Sequence, residues 1–307
     1  SFRFGPDEAD SYTTREMIAA TSRFLKLFRG ARSESRRTEL LRVFRVFESR
    51  RENGRALFTG YYTPRMTGAL RPRSPADVPV FGRPADLVRV DIADFVPGYP
   101  GPPLHGRVVA GRFAPYFTQQ EILLEAKLEE QPLFYLNAAD FYQLQLQGGA
   151  YLRMPGTQAN PVYYGYAADN GHDFVSPGRR FSRPRDQLRA AADRDPKGFQ
   201  KGLAANPRYI FFERRSGGPA GNIKQPLVAG RSIAMDPAVI PKGAPAFVET
   251  RSRTHRLRRF AVVQDTGNAI RGHGRVDFYW GAGPDAERQA LRFRQEGRVF
   301  VFAPRRP

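Results

Sequence analysis

The last third of the chain constrains the fold most. From Leu227 onward the sequence runs as short β-prone segments divided by tight turns: Arg231–Met235, Pro237–Gly243, Ala246–Thr250, Phe260–Val263, Val276–Tyr279 and Val299–Phe302. One helical stretch, at about 285–295, separates the last two. Six short β segments with interspersed glycines favour a small closed barrel over an open sheet.

Two carboxylates stand at the ends of these segments. The apolar run Phe260–Val263 delivers Asp265 into a turn rich in Gly and Asn. After a second turn at Gly272–Gly274, the run Val276-Asp277-Phe278-Tyr279-Trp280 sets Asp277 among apolar and aromatic neighbours. A carboxyl beside aromatic walls is poorly solvated when ionised, so it holds its proton to higher pH. Asp277 is therefore the candidate proton donor and Asp265 its partner. The same spacing suits two ordinary turn or strand-end aspartates, and the residues alone do not choose.

Charge narrows the surroundings. The 307-residue chain, long enough for two ordinary domains or one large one, has a formal net charge of +19, almost wholly from arginine. Such an excess implies polyanionic surroundings: nucleic acid, anionic membrane or an acidic cell-wall polymer. The arginines are dispersed (Arg36-Arg37, Arg179-Arg180, Arg305-Arg306), and no helix-turn-helix, ribonucleoprotein motif or zinc-finger spacing accompanies them. A nucleic-acid partner is not expected. With no cysteine and four dispersed histidines (His105, His172, His255, His273), neither a disulfide framework nor a metal site is expected, and no cofactor. No apolar run of 18 residues exists, so no transmembrane segment is expected. The chain opens at Ser1 without a methionine or an apolar signal core, as a mature or trimmed form would.

In chain order, residues 13–29 carry Met17, Ile18, Thr21, Phe24, Leu25 and Phe28 at helical spacing, with Thr13 or Thr14 placed to cap. A second amphipathic helix is expected over about 35–49, with Leu40, Val43, Phe44 and Phe47 on one face. Residues 56–64 read as a short strand in which Tyr61 and Tyr62 point to opposite faces, so one ring could pack while the other meets a ligand. The proline-rich text from Arg65 to about Asp86 reads as a linker. Short strands and loops follow to about 180, with a helix at about 118–128 capped by Thr118 and Glu121. Phe141–Gly149 alternates strictly and is expected to be a strand with Gln143, Gln145 and Gln147 on one face. Such amides can bond sugar hydroxyls and N-acetyl groups, and they equally suit a plain polar face. Two short helices broken at Pro196 fill 184–205, Tyr209–Phe212 is a strand, and Gly217–Gly221 marks a domain boundary.

The ordered set Phe58-Thr59-Gly60-Tyr61-Tyr62-Thr63-Pro64, Gln145-Leu146-Gln147-Gly148, Asn206-Pro207 with Phe211-Phe212, Gly230–Ala234 with Asp236 and Ile240–Gly243, Asp265–Gly272 and Asp277–Gly281 resembles the membrane-bound lytic murein transglycosylase A family. The resemblance runs from about residue 58 to 302. It implies a mainly β protein with some α: a double-psi β-barrel from residues 1–64 and 218–307, an inserted β-rich substrate-binding domain at 65–217, and a substrate groove between them. It implies cleavage of the β-1,4 bond between N-acetylmuramic acid and N-acetylglucosamine in peptidoglycan, without water, leaving a 1,6-anhydromuramyl end. By motif Asp277 is the single acid/base and Asp265 supports it, while Thr59, Tyr61, Tyr62, Gln145 and Gln147 line the groove. Trp280, the only tryptophan, is a further stacking candidate, with a core role equally open. Two departures stand out. Gly148-Gly149-Ala150 replaces the family's Gly-Ser-Gly, and the usual lipoprotein cysteine is absent.

A lytic transglycosylase needs no second carboxylate to activate water, because the sugar's own 6-hydroxyl attacks the anomeric carbon. The expected partner is the glycan strand of the wall, with other cell-wall enzymes as further candidates. The chain is expected to be a monomer in the periplasm or at the outer membrane. Two alternatives stay open: a two-carboxylate glycoside hydrolase on the same barrel, and a non-catalytic polysaccharide-binding module.

Overall fold

The computed structural model describes residues 2–3, 11–30, 33–99, 101–155, 160–251, 256–267 and 269–305. Ser1, His255 and Arg306, named above, and Asn268 within the Asp265–Gly272 stretch lie outside them. The chain divides into two compact units, Ser1–Thr63 with Gly218–Pro307, and Pro64–Gly217.

The first unit opens with β1 (Phe2–Arg3), paired to β2 (Ser11–Tyr12), and then α1 (Thr14–Gly30). Thr13 and Glu16 close α1 by a reciprocal cap, the Glu16 N–H donating to the Thr13 hydroxyl and the Thr13 N–H to the Glu16 carboxylate. Met17, Ala20 and Phe24 are buried, whereas Ile18 and Leu25, expected on the same face, are exposed. Each stands one residue, or 100°, round from the buried stripe. The second helix, α2 (Ser33–Val43), is shorter than expected because Phe44–Ser49 forms β3. Pairing of β3 with the C-terminal strand, with Phe44 wholly buried, overrides the helical spacing. β4 (Ala56–Thr63) ends the segment.

The second unit holds β5 (Arg65–Thr67), β6 (Asp77–Val80), β7 (Val88–Val90), β8 (Leu104–Val109), β9 (Arg112–Pro115), α3 (Gln119–Leu123), β10 (Phe134–Asn137), α4 (Ala138–Gln147), β11 (Gly149–Arg153), β12 (Val162–Asp169), α5 (Arg185–Arg194), α6 (Pro196–Ala204) and β13 (Ile210–Arg215). Its sheets are β13-β12-β11-β5, β10-β6 and β7-β8-β9, over a core that includes Phe134, Leu136, Phe141, Leu144, Tyr209, Phe211 and Phe212. Two expectations fail here. Residues 65–86 are no linker: β5 pairs with β11, β6 pairs with β10, and Val78 and Val80 are buried. The Phe141–Gln147 stretch is helical, not extended. The Asn137 side chain caps it by accepting from the Ala139 N–H, and Gly148 closes it at φ 71°. The alternation of leucines was coincidental with the helical period: Leu144 is buried while Leu146 is 44% exposed.

The chain then returns to the first unit with β14 (Ser232–Ala234), β15 (Pro245–Arg251), β16 (Arg256–Asp265), β17 (Arg275–Ala282), α7 (Pro284–Arg292) and β18 (Arg294–Pro304). Six strands run in the order β15-β16-β14-β17-β4-β18, and β15 pairs with β18 to close the barrel. β14 with β16 and β17 with β4 are parallel, and the other pairs antiparallel. Pro237–Gly243 is a turn, since Pro237 and Pro241 have no N–H for a ladder, and β4 supplies the sixth strand instead. Phe58, Ile233, Val248, Val263, Val276, Phe278, Val299 and Val301 share the barrel core, none more than 1% exposed. Each is worth about 1.5–3 kcal/mol of burial.

Glycine at position 60 is required by packing. A Cβ there would stand 2.6 Å from Trp280 Nε1 and 2.9 Å from the Ala290 Cα. Gly60→Ala is expected to destabilise the fold by about 1–3 kcal/mol, as overpacking does, seen as a lowered midpoint in thermal or urea unfolding.

Candidate active site

Asp277 lies on β17, where side chains alternate between two faces. Val276 and Phe278 enter the barrel core, so Asp277 is on the opposite face, as is Arg275. The parallel register with β4 sets Asp277 beside Thr59 and Tyr279 beside Tyr61. The Thr59 hydroxyl donates to Asp277 Oδ1 at 2.5 Å and itself accepts from Arg275 Nη1 at 2.8 Å. Among the described residues, Asp277 Oδ2 has no hydrogen-bond partner.

Asp265 closes β16, and both aspartates are register partners of Ala234, one from each side of β14. Two strand spacings separate their backbones by about 9–10 Å. The oxygens of Asp265 are occupied. Oδ1 accepts from the Thr266 and Asn222 N–H groups, at 2.9 and 3.1 Å, and Oδ2 accepts from the Tyr61 hydroxyl at 3.1 Å. A third aspartate, Asp236, is nearly buried and clamps the returning loop, accepting from the Gly272 N–H at 2.7 Å and the Ala238 N–H at 3.0 Å.

Burial pushes the Asp277 carboxyl above the ordinary carboxylate range, against the Thr59 hydrogen bond and the Arg275 charge, with the charge of Asp265 adding to the rise. Burial also raises Asp265, opposed by the Thr266 N–H, the Tyr61 hydroxyl, the Asn222 N–H and the charge of Lys242. The Tyr61 phenol is held well above its usual value, by burial first and by both aspartates after it. It stays protonated and donates.

Other expected site residues fall differently. Tyr61 is half-buried, its ring 5.1 Å from that of Tyr279. Tyr62 is 2% exposed and packs with Ala286, Ala290 and Trp280, which removes it as a ligand-lining ring. Trp280 is also a packing residue, with its ring 5.2 Å from Phe278 and 5.1 Å from Phe293. In the other unit, Gln145 braces the β13 backbone, accepting from the Ile210 N–H at 2.7 Å and donating to the Ile210 carbonyl at 3.1 Å. Both ends of its amide are engaged. Gln147, the last residue of α4, is half-buried. Arg275 was missed. Its signal is its position two residues before Asp277, which puts both side chains on one face of a strand. Among the described residues no cluster of three or more His, Cys, Asp or Glu could hold a metal ion.

A family model described as "MltA specific insert domain" matches residues 57–213, more than half of the chain. The chain belongs to the MltA family. A second model, the 3D domain, matches residues 231–303. The chain is 27% identical over 271 residues to the membrane-bound lytic murein transglycosylase A of Vibrio cholerae, a match covering 81% of this chain and 66% of that protein. It thus spans just under two thirds of the length of this curated relative. Among solved structures it is similar to a membrane-bound lytic murein transglycosylase from Agrobacterium tumefaciens, with 26% identity, a TM-score of 0.79, and coverage of 99% of this chain and 87% of that one. It shares the fold of Escherichia coli MltA with bound chitohexaose, at 22% identity and a TM-score of 0.67, over 95% of this chain and 83% of that one.

A carboxyl whose pKa rises on folding opposes folding once the pH passes its ordinary value of 3.8. Below that value both states are protonated and the effect vanishes. Asp277→Asn is therefore expected to raise the thermal midpoint at pH 7, with the gain shrinking as pH falls towards 3.8. Calorimetry of both proteins across pH checks this, and a gain that persisted in acid would contradict it.

Proposed function

We propose that this chain is a lytic transglycosylase that cleaves the β-1,4 bond between N-acetylmuramic acid and N-acetylglucosamine in peptidoglycan without adding water. Asp277 is its single acid/base. The observation that carries this is the contrast between the two carboxyls: Asp265 has both oxygens occupied, whereas Asp277 is held by one oxygen and has the other open.

The protonated Asp277 gives its hydrogen to the glycosidic oxygen as the bond from that oxygen to the anomeric carbon breaks. The 6-hydroxyl oxygen of the muramyl residue bonds to the anomeric carbon, and its proton passes to the Asp277 carboxylate. The acid is restored, no water is consumed, and the product carries a 1,6-anhydro ring. Burial supports the first half by keeping the carboxyl protonated, and the Thr59 hydroxyl supports the second by stabilising the carboxylate. Asp265 shapes the site, holding Tyr61 and tying the loop at Asn222 to the end of β16. Tyr61 is the remaining candidate ring for a sugar face. The names of the relatives support the substrate class, as does the chitohexaose bound to the E. coli protein. The site of action is the cell envelope, where the polymer lies, and the net charge of +19 attracts its anionic components. No helix among the described residues is long and apolar enough to cross a membrane.

Digestion of purified sacculi in heavy-oxygen water, followed by mass analysis, tests the reaction. Anhydro ends without label are expected, and labelled reducing ends would make the protein a hydrolase. Asp277→Asn is expected to lower muropeptide release by at least about 10²–10⁴-fold while the protein stays folded. Asp265→Asn is expected to give a strong but incomplete loss.

A further inference from the structure

We infer that Arg275 is a positioning residue for Asp277, acting through the Thr59 hydroxyl to set which carboxyl oxygen carries the acid proton. The inference rests on Asp277 being the acid, as proposed above.

Arg275 Nη1 lies 2.8 Å from Thr59 Oγ1 and 3.0 Å from the Val276 carbonyl oxygen. A guanidinium is always charged and has no acceptor, so it donates in both contacts. Thr59 is thereby the acceptor towards Arg275, and its single O–H is directed to Asp277 Oδ1 at 2.5 Å. A hydroxyl that accepts from a cation is a stronger donor. With Oδ1 already receiving a hydrogen, the carboxyl's own proton sits on Oδ2, the oxygen with no partner among the described residues. The three side chains come from two strands, β17 and β4, in register. The acid proton is therefore presented from one defined atom.

The same pair acts after the proton has left. The carboxylate is met by a hydroxyl backed by a half-buried cation, so both favour the charged form and oppose burial. The groups facing this cluster are Thr59 and Tyr61 from β4, Asp265 from β16, and Arg275 and Tyr279 from β17, with Arg294 of β18 and Arg51 acting on Arg275. Of the two charges felt directly by Asp277, Arg275 favours the carboxylate and Asp265 disfavours it. Burial raises the pH up to which Asp277 remains an acid, and Arg275, after the Thr59 hydroxyl, lowers it.

The test is the pH profile of product release from sacculi by the full chain and its variants, with folding checked by circular dichroism and thermal unfolding. Arg275→Met is expected to lower kcat by about tenfold to hundredfold and to move the alkaline limb upward by about one pH unit. Thr59→Val is expected to do the same, and Arg275→Met to add little once Thr59 is valine, since it acts through that hydroxyl. Thr59→Ser is expected to keep the parent profile. An alkaline limb that stays in place in folded Arg275→Met, or losses that multiply independently in the double variant, would overturn the inference. If Arg275→Met does not fold, Thr59→Val carries the same expected shift, and its absence has the same force. Asp277→Asn separates the two levels: full turnover there removes the proposed acid itself. An inactive Asp277→Asn with an unmoved limb in the other variants removes only the role of Arg275.

Discussion

The parallel pairing of β17 with β4 is the constraint on which the candidate site depends. It joins residues 218 positions apart in sequence, Thr59 and Asp277, at one register step. Because strand side chains alternate, a slip of one residue would turn Asp277 into the core and expose Phe278. Val276 and Phe278 are wholly buried inside the barrel, so the packing that stabilises the strand also specifies where the carboxyl stands. The same register delivers Arg275 and Tyr279 to the face that carries Asp277, and Trp280 to the packed face, where it fills the space that Gly60 leaves.

Two opposing effects act on each carboxyl, and their balance differs. Burial raises both. Asp265 answers with two backbone N–H groups and a phenol, a set that saturates its oxygens and fits a carboxylate tying loops together. Asp277 answers with one hydroxyl and one nearby cation, leaving one oxygen with no hydrogen-bond partner among the described residues. The two strands that flank β14 thus hold like groups in unlike surroundings, set by the count and placement of donors more than by depth.

The barrel was legible in the sequence because its strands are short apolar runs bounded by glycines, and the setting of Asp277 between buried residues was legible from its neighbours Val276 and Phe278. The details that failed share a cause. Phe44–Ser49 has helical spacing but finds a partner strand at the far end of the chain, which no local pattern reports. The alternating Gln143–Gln147 stretch satisfies a strand period over five residues, yet Asn137 and Gly148, one at each end, decide for a helix. Tyr61 and Tyr62 were expected to diverge, and they do, but only the packing of α7 reveals that Tyr62 is the buried one. Arg275 was passed over because a lone arginine in a chain this basic carries no signal until its hydroxyl partner from another strand is in place.

The barrel strand β4 has consequences for the order of assembly. Its ladder neighbours in the barrel, β17 and β18, both come from the last part of the chain, after the whole of the Pro64–Gly217 unit. At ribosomal speeds of about 5–20 residues per second, the gap between the synthesis of Thr59 and of Asp277 is roughly 10–40 s. Throughout that interval β4 is an open edge and the carboxyl does not yet exist, while the intervening unit has its own core to fold around. A chain built this way completes its candidate site last, and a truncated copy lacking the final strands would carry the insert without Asp277.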